Sequence, residues 1–247
     1  MVPTIMIVFF QHLLLIMLTL FPAIMPSAAL GADGRDTLFR EDFENLDNWK
    51  PFFFPKIKKH STYTIETNDK DHILKAESSG SASAVVYKNS FNIYEHPRVT
   101  WRWKIGNVYT KGDARTKEGD DYPIRVYIMF EYEPEHAGAF EKLQYGVARS
   151  IYGEYPPHSS LSYVWANKDD PDRFLKSPYT DRAMMVLLEK GRQKAGTWQE
   201  VEINVLEDYQ QAFGEKPPAR ARIAVMNDSD NTGESAVSYM DYIEVFK

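Results

Sequence analysis

The 247-residue chain contains no cysteine. This absence excludes disulfide bonds, a cysteine nucleophile and a lipid-modified cysteine. The sequence also lacks a Gly-x-Ser-x-Gly motif and a pair of histidines at helical metal-binding spacing. A protein of this kind depends on a large hydrophobic core, or on bound metal ions, for its stability.

Charged residues are missing from residues 1–32, which are mostly apolar and end in small residues after Pro22 and Pro26. An apolar stretch followed by small residues is typical of a secretory signal peptide. Cleavage could follow Ala29, Gly31 or Ala32. The alternative is a retained membrane anchor, but two prolines end the apolar stretch and no basic cluster follows. We expect a cleaved leader, a periplasmic or secreted protein, and no membrane association after cleavage.

The remainder, residues 33–247, has a length that suits one large β domain. The chain has 29 Lys and Arg against 35 Asp and Glu, a formal net charge of −6. Binding to phosphate backbones requires a basic surface, so this balance argues against nucleic acid as a partner. The aromatic fraction of 14% provides material for a core and for a binding face.

Alternation of apolar and polar residues recurs along the mature chain and predicts half-buried strands. Turn residues separate ten such segments: Tyr63–Thr67, Ile73–Glu77, Ala84–Phe91, Val99–Ile105, Ile124–Tyr132, Leu161–Asn167, Ala183–Glu189, Trp198–Val205, Arg222–Asn227 and Val237–Phe246. Many short strands between turns predict an all-β, two-sheet antiparallel β-sandwich of the jelly-roll kind.

Helical signals are few. The segment Glu135–Ile151 has helix-forming composition, with apolar residues spaced three and four apart. A shorter helix is predicted over Asp208–Phe213, with Gly214 as its left-handed cap. Two long polar segments, Val108–Tyr122 and Asn167–Asp181, are predicted loops, and loops of that length are usually functional or mobile.

Two predicted strands carry unusual polar rows. In one, Arg125, Tyr127 and Glu131 alternate with apolar residues, and in the other Tyr163, Trp165 and Asn167 follow the same period. Aromatic rings cover the C–H faces of sugars, while Arg, Asn and Glu bond their hydroxyl groups. If both strands share a sheet, the rows would form one glycan-binding face. Ordinary amphipathic strands are the alternative, because aromatic cross-strand pairs also stabilise sheets.

A third strand contains Trp101, Trp103 and Ile105 on one face and Arg102 with Lys104 on the other. Large apolar side chains are mostly buried, so we expect a core position for both tryptophans and solvated cations. The alternative places the two cations in a groove that would suit an acidic sugar polymer.

Carboxylates are concentrated in two loops. Asp120 and Asp121 immediately precede the Arg125 strand, and their loop is either a cation site or a solvated turn. In the segment 228–233, Asp228, Asp230 and Thr232 take positions one, three and five, and a Gly takes position six. This is the opening of a calcium loop, although the closing Glu is absent. The prediction is structural calcium, with an Asx-turn as the alternative.

The order of the segments resembles that of exported bacterial proteins grouped as domain-of-unknown-function family 3047. The resemblance runs from about Phe39 to Phe246 and rests on these segments: Trp101-Arg102-Trp103, Gly119-Asp120-Asp121, Arg125–Phe130, Tyr163-Val164-Trp165, Phe213-Gly214 and Asp228–Gly233. It implies a bacterial source and export, and it brings no activity.

The two ends of the domain also resemble the first and last strands of jelly-roll carbohydrate-binding modules, where calcium commonly joins the termini. The resemblance implies Asp241 with Asp42 or Glu44 as calcium ligands. Paired terminal strands with solvated carboxylates are the alternative. Shared architecture is a weak warrant for shared function.

These observations predict an exported glycan-binding β-sandwich whose ligand-binding residues are Arg125, Tyr127, Tyr163, Trp165, Asn167, Asp120 and Asp121. A polysaccharide lyase or glycoside hydrolase that uses the same face is one alternative. For a lyase, Tyr127 or Tyr163 would be the base, with Arg125 and Asn167 neutralising the uronate. A non-catalytic envelope domain that contacts other proteins is the second alternative.

Overall fold

The computed structural model describes residues 34–68, 71–135, 137–139, 142–143, 145–146, 149 and 155–247. The predicted leader lies outside these residues. The described chain forms fourteen strands: β1 Thr37–Glu41, β2 Trp49–Phe52, β3 Thr62–Asn68, β4 Asp71–Ser79, β5 Ala82–Tyr87, β6 Phe91–Asn92, β7 Arg98–Ile105, β8 Arg125–Phe130, β9 Ser159–Ala166, β10 Phe174–Lys176, β11 Ala183–Lys190, β12 Gln199–Asn204, β13 Arg220–Asp228 and β14 Ser235–Phe246.

These strands form two sheets that pack face to face, which confirms the predicted jelly-roll-like sandwich. The smaller sheet has six strands in the order β12-β7-β14-β4-β3, with β1 also paired to β14. The larger sheet has eight strands in the order β10-β11-β9-β8-β13-β5-β2, with β6 also paired to β13. The terminal strands β1 and β14 pair antiparallel, as one alternative predicted.

One pairing departs from the predicted antiparallel pattern. Strand β11 runs parallel to β9, with Met184 opposite Leu161 and Val186 opposite Tyr163. The chain turns back through β10, which pairs antiparallel with β11, so the predicted loop Asn167–Asp181 contains a short strand at the edge of the larger sheet.

Aromatic residues from both sheets meet at the centre of the sandwich. Trp101 and Trp103 of the smaller sheet are fully buried, which confirms their predicted core position. The ring centroid of Trp101 lies 5.6 Å from that of Tyr163, and Trp103 lies 6.0 Å from Trp165. Ring pairs at such distances contribute beyond the area they bury. The core therefore uses aromatic residues of both β7 and β9.

The predicted short helix is present as α1, Val205–Phe213. Its N-cap is Asn204, whose side-chain oxygen accepts from the N–H groups of Leu206 and Glu207. Gly214 ends it in the left-handed conformation with φ 76°, as predicted. In the segment Glu135–Ile151, described residues including Leu143 are helical, while Phe140, Val147 and Ile151 lie outside the described residues. None of the described helical segments has the length and apolar character needed to cross a membrane.

Candidate functional site

The outer face of the larger sheet carries a groove whose floor consists of small side chains. Along the ladder, Ala84 and Ala224 lie in adjoining strands, and Ser162 lies opposite Tyr127. Small residues in the middle of a sheet leave space above the backbone, while larger neighbours such as Met129 and Met226 border it. Because side chains alternate along a strand, the apolar residues of β8 point inward and Tyr127 points into the groove.

Two adjoining cavities make up the groove, one of about 570 Å³ and one of about 550 Å³. They share three lining residues: Phe54, Tyr127 and Met226. Aromatic rings line the first cavity: Phe52, Tyr132 and Tyr155. Tyr179 lines the second cavity and is 55% exposed. Aromatic walls above a polar and small-residue floor suit a ligand with alternating apolar and hydroxyl surfaces.

At one end of the groove, a buried arginine binds two aspartates. Arg125 Nε donates to Asp228 Oδ1 at 3.0 Å, and Nη2 also donates to the second oxygen of Asp228. Nη1 lies 3.5 Å from Asp120 Oδ1. The guanidinium lies 4.7 Å from the ring centre of Tyr122 and 5.7 Å from that of Tyr127. Arg125 is therefore held in place in the groove wall by two carboxylates, those of Asp120 and Asp228.

The two acidic loops singled out in the sequence come together beside this arginine. The carboxylate of Asp121 accepts from the N–H groups of Asn231 and Thr232, at 3.3 Å and 2.6 Å. Carboxylate oxygens of Asp121, Asp228 and Asp230 lie within 4.8 Å of one another. Burial raises the pKa of the Asp230 carboxyl, and the nearby Asp121 raises it further. The loops thus form one negatively charged cluster rather than two separate sites.

Oxygen donors of this kind match a hard cation such as calcium. Four carboxylates, from Asp120, Asp121, Asp228 and Asp230, lie near one guanidinium, and a divalent cation would offset part of the excess negative charge. Asp228 is already engaged by Arg125, and both oxygens of the buried Asp121 carboxylate accept backbone N–H groups, so a cation would share oxygens that already have partners. Calcium at this cluster stays a prediction.

The calcium ligands expected at the termini have other partners. The Asp42 carboxylate accepts from Arg40 at 2.8 Å, and Asp241 accepts from Arg102 at 2.8 Å. Glu44 is exposed. Among the residues that the structure describes, the metal-sized group of carboxylates is the one at Asp121, so the terminal site stays a prediction without a matching cluster.

The prediction that Tyr163 and Trp165 share an open face with Arg125 is wrong. Tyr163 lies opposite Val126, whose side chain points into the core, whereas Arg125 lies opposite Val164. Both aromatic residues are fully buried between the sheets, and Trp165 Nε1 donates to the Gly191 carbonyl at 2.9 Å. The two rows point to opposite sides of the larger sheet.

Asn167 is also a structural residue. It is buried beyond the end of β9, where its Oδ1 accepts from the N–H of Tyr109 and its Nδ2 donates to the Asp121 carbonyl. The loop packs so tightly here that a Cβ at Gly112 would lie 2.1 Å from Asn167 Nδ2. Asn167 therefore fixes the start of its own loop to the loop that contains Tyr109 and Asp121. The lyase alternative loses Tyr163 and Asn167, since neither lines the groove.

Several groove residues were missed by the sequence patterns. Phe52 at the end of β2 and Phe54 just after it line the groove, and a signal was present in the run of three phenylalanines between Pro51 and Pro55. The cations at the first cavity were also missed: Lys50, Arg149 and Arg222. Strand β2 has four residues, too few for alternation to mark it.

A family model for "Protein of unknown function (DUF3047)" matches residues 47–244, so the chain belongs to this family. No match was found among proteins of curated function. Because the family is itself without an assigned activity, the function has to be argued from the groove.

Three solved structures are similar to the chain over most of its length. A family 11 carbohydrate-binding module of a Clostridium thermocellum cellulase is 12% identical, with a TM-score of 0.44 and coverage of 86% of this chain and 94% of that one. The carbohydrate recognition domain of Emp47p is 8% identical, with a TM-score of 0.43 and coverage of 81% and 89%. The Trichoderma harzianum endoglucanase 3 is 6% identical, with a TM-score of 0.39 and coverage of 82% and 99%. At these values, the ligands of those proteins are not carried over to this chain.

Proposed function

We propose that this protein binds a glycan in the groove of the larger sheet. The observation that carries the proposal is the groove itself, in which aromatic side chains border a floor of alanines and serines. Sugar rings present an apolar face and a rim of hydroxyl groups. Aromatic rings such as Tyr127 contact the first, and serine hydroxyls and carboxylates bond the second.

The dimensions of the groove also support an extended ligand. Two cavities of about 570 and 550 Å³ meet at Tyr127, and each falls within the usual size of a small-molecule site. An oligosaccharide that spans both would contact Tyr127 in the middle and the aromatic walls at either end. A flat or loop-filled face would instead have favoured the protein-interaction alternative.

Binding of purified protein to a glycan array, followed by isothermal titration of the hits, tests the proposal. Tyr127→Ala should weaken binding at least fivefold, roughly the worth of one aromatic contact. Tyr239→Ala is the matched control, since Tyr239 is a half-buried tyrosine on the outer face of the smaller sheet. Equal losses in the two variants, or no glycan bound by the wild type, would remove the proposal.

The proposal includes export, which is supported by the charge-free apolar stretch of residues 1–32. Intact-mass analysis of protein from the native host should show a chain that has lost about these residues. A full-length species that sediments with membranes would contradict export.

A further inference from the structure

The second cavity of the groove, which meets the first at Tyr127, is bordered by closely spaced carboxylates. Three of them line it: Asp120, Asp228 and Asp230. Asp121 adds a fourth, because one of its carboxylate oxygens lies within 4.8 Å of oxygens of Asp228 and Asp230. Like charges at such distances repel one another, so a positive group that enters this cavity is attracted.

The buried cation in this part of the wall is already committed. Arg125 donates to both oxygens of Asp228, and its Nη1 lies 3.5 Å from Asp120 Oδ1. One guanidinium thus faces two carboxylates before the other two are counted. Lys56 also lines the cavity, but it is exposed to water, which screens its charge more than that of a buried group.

Two of the four carboxylates have capacity for a further donor. Asp120 is 7% exposed, and its Oδ1 has no hydrogen-bond donor within the described residues. Asp230 is half-buried, and no cation of the described chain forms an ion pair with it. Both oxygens of Asp121, in contrast, accept backbone N–H groups. An incompletely paired carboxylate in a partly desolvated site gains from a donor that a ligand brings.

An aromatic ring lies beside these carboxylates. The hydroxyl group of Tyr179 accepts from Nδ2 of Asn231, the residue that follows Asp230, at 3.3 Å. The same hydroxyl donates to the Lys117 carbonyl at 3.1 Å, which holds the ring at the cavity. A sugar ring that packs on Tyr179 would therefore present its substituents to the carboxylates.

We infer that the second cavity takes an amino sugar, whose protonated amino group binds Asp230, with Asp120 as a second acceptor. The inference rests on the proposed function and adds the substrate class. An ammonium group combines several N–H donors with a positive charge, so it can donate to both carboxylates and offset their charge. A hydroxyl or N-acetyl group supplies a donor without the charge, and an acidic group would meet like charge.

A divalent cation is the competing occupant of this cluster. Calcium takes about six to eight oxygen ligands, and here it would have to share oxygens of Asp121 and Asp228 that already have partners. An ammonium group needs fewer acceptors, and Asp120 with Asp230 can supply them. Because calcium and the amino group would both use Asp230, the two should compete.

The test is isothermal titration of the full chain against short glucosamine oligosaccharides and against the same oligosaccharides after N-acetylation. Chelator is present, and the buffer keeps the free amino groups protonated. The free amine should bind about tenfold more tightly, as expected for a charge-assisted contact. Asp230→Asn should remove this preference and leave the affinity for the N-acetylated sugar unchanged, which also shows that the variant is folded.

Two variants control for the overall charge of the protein. Glu66→Gln removes a carboxylate from β3, an edge strand of the smaller sheet, and should keep the preference. Lys56→Gln removes an exposed cation at the cavity and should leave the affinity for the amino sugar unchanged or raise it. A loss of affinity in Lys56→Gln would overturn the inference. So would equal losses in Glu66→Gln and Asp230→Asn, because the attraction would then be one of net charge.

The outcomes separate the two proposals. Equal affinity for the free and the N-acetylated sugar, with both weakened in Tyr127→Ala, overturns the amino sugar and leaves glycan binding in place. Binding of other glycans but of neither member of this pair has the same meaning. Binding that appears only with added calcium assigns the cluster to the metal and also overturns the amino sugar. No binding to any oligosaccharide overturns both proposals.

Discussion

The hydroxyl group of Tyr163 donates to Asp208 Oδ2 at 3.1 Å, which joins the core of the larger sheet to helix α1. The second carboxylate oxygen of Asp208 accepts from Arg173 Nη2 at 2.9 Å. Burial raises the pKa of the Asp208 carboxyl, and the nearby Glu207 adds to the rise, while Arg173 and the Tyr163 hydroxyl oppose it. Folding therefore disfavours the charged form of this side chain.

A pH dependence follows from this raised pKa. Because the folded-state pKa lies above the unfolded value, ionisation of Asp208 costs stability as the pH rises through the folded-state pKa. The unfolding free energy of the wild type, relative to that of Asp208→Asn, should therefore increase as the pH falls from neutral to mildly acidic. Urea unfolding across this pH range measures it. A constant difference, or a shift in the opposite direction, would contradict the prediction.

The buried pair of Arg125 and Asp228 should be sensitive to loss of one partner. Arg125→Ala leaves two buried carboxylates without their counter-charge and should cost about 3–5 kcal/mol of unfolding free energy. Arg102→Ala removes one partner of the more exposed pair with Asp241 and should cost less than about 1 kcal/mol. Urea denaturation at neutral pH compares the two variants, and similar costs would show that the buried pair has no special role.

Trp165 should behave as a core residue. Its side chain is fully buried against Trp103, so Trp165→Ala should cost about 3–5 kcal/mol through the cavity it leaves. Phe53→Ala, at a position that is 52% exposed, is the control and should cost less than about 0.5 kcal/mol. If both variants unfold at the same denaturant concentration, the aromatic core does not carry the stability assigned to it.

Calcium should stabilise the protein through the cluster of Asp121, Asp228 and Asp230. A cation that binds only the folded state raises the melting temperature with its concentration. Differential scanning fluorimetry with chelator and with millimolar calcium should show a rise that Asp230→Asn removes. Asp241→Asn tests the terminal site, and a loss of the rise in this variant would move the ion there. Identical melting with chelator and with calcium would exclude both sites.

Strand β8 shows what alternation can establish. Apolar residues at every second position, such as Val126 and Ile128, were predicted to face the core. The structure places them there, with Tyr127 on the outer face. Helix α1 was also predictable in part, because Gly214 marks its end whatever the tertiary context. Both features depend on residues that are close together in the chain, so they could be predicted from the sequence.

Strand β9 shows why the rest could not be predicted. Both of its faces are buried: Tyr163 faces the sandwich core, and Val164 belongs to a second buried cluster together with Tyr122 and Met185. Alternation separates the two faces but cannot tell which one is inside when neither is solvated. The register with β8 and β11 decides it, and that register depends on residues far away in the chain.

The assembly of the acidic cluster depended on the same long-range information. Asp121 and Thr232 are far apart in the chain and meet because β8 pairs with β13. Each loop was recognisable by composition, but their contact was not. The Phe52 to Phe54 wall was missed for a different reason, since it belongs to a four-residue strand and the turn after it.

The position of β14 has a consequence for how the chain acquires its fold during synthesis. This strand follows the other described strands in the sequence, yet it lies inside the smaller sheet, between β7 on one side and β4 with β1 on the other. The smaller sheet therefore cannot close while residues 235–246 are still in the ribosomal exit tunnel. Pairing across such sequence distances is slow. A nascent chain stopped before Ser235 should accordingly remain open to proteases, and the protection should appear only after the last strand emerges.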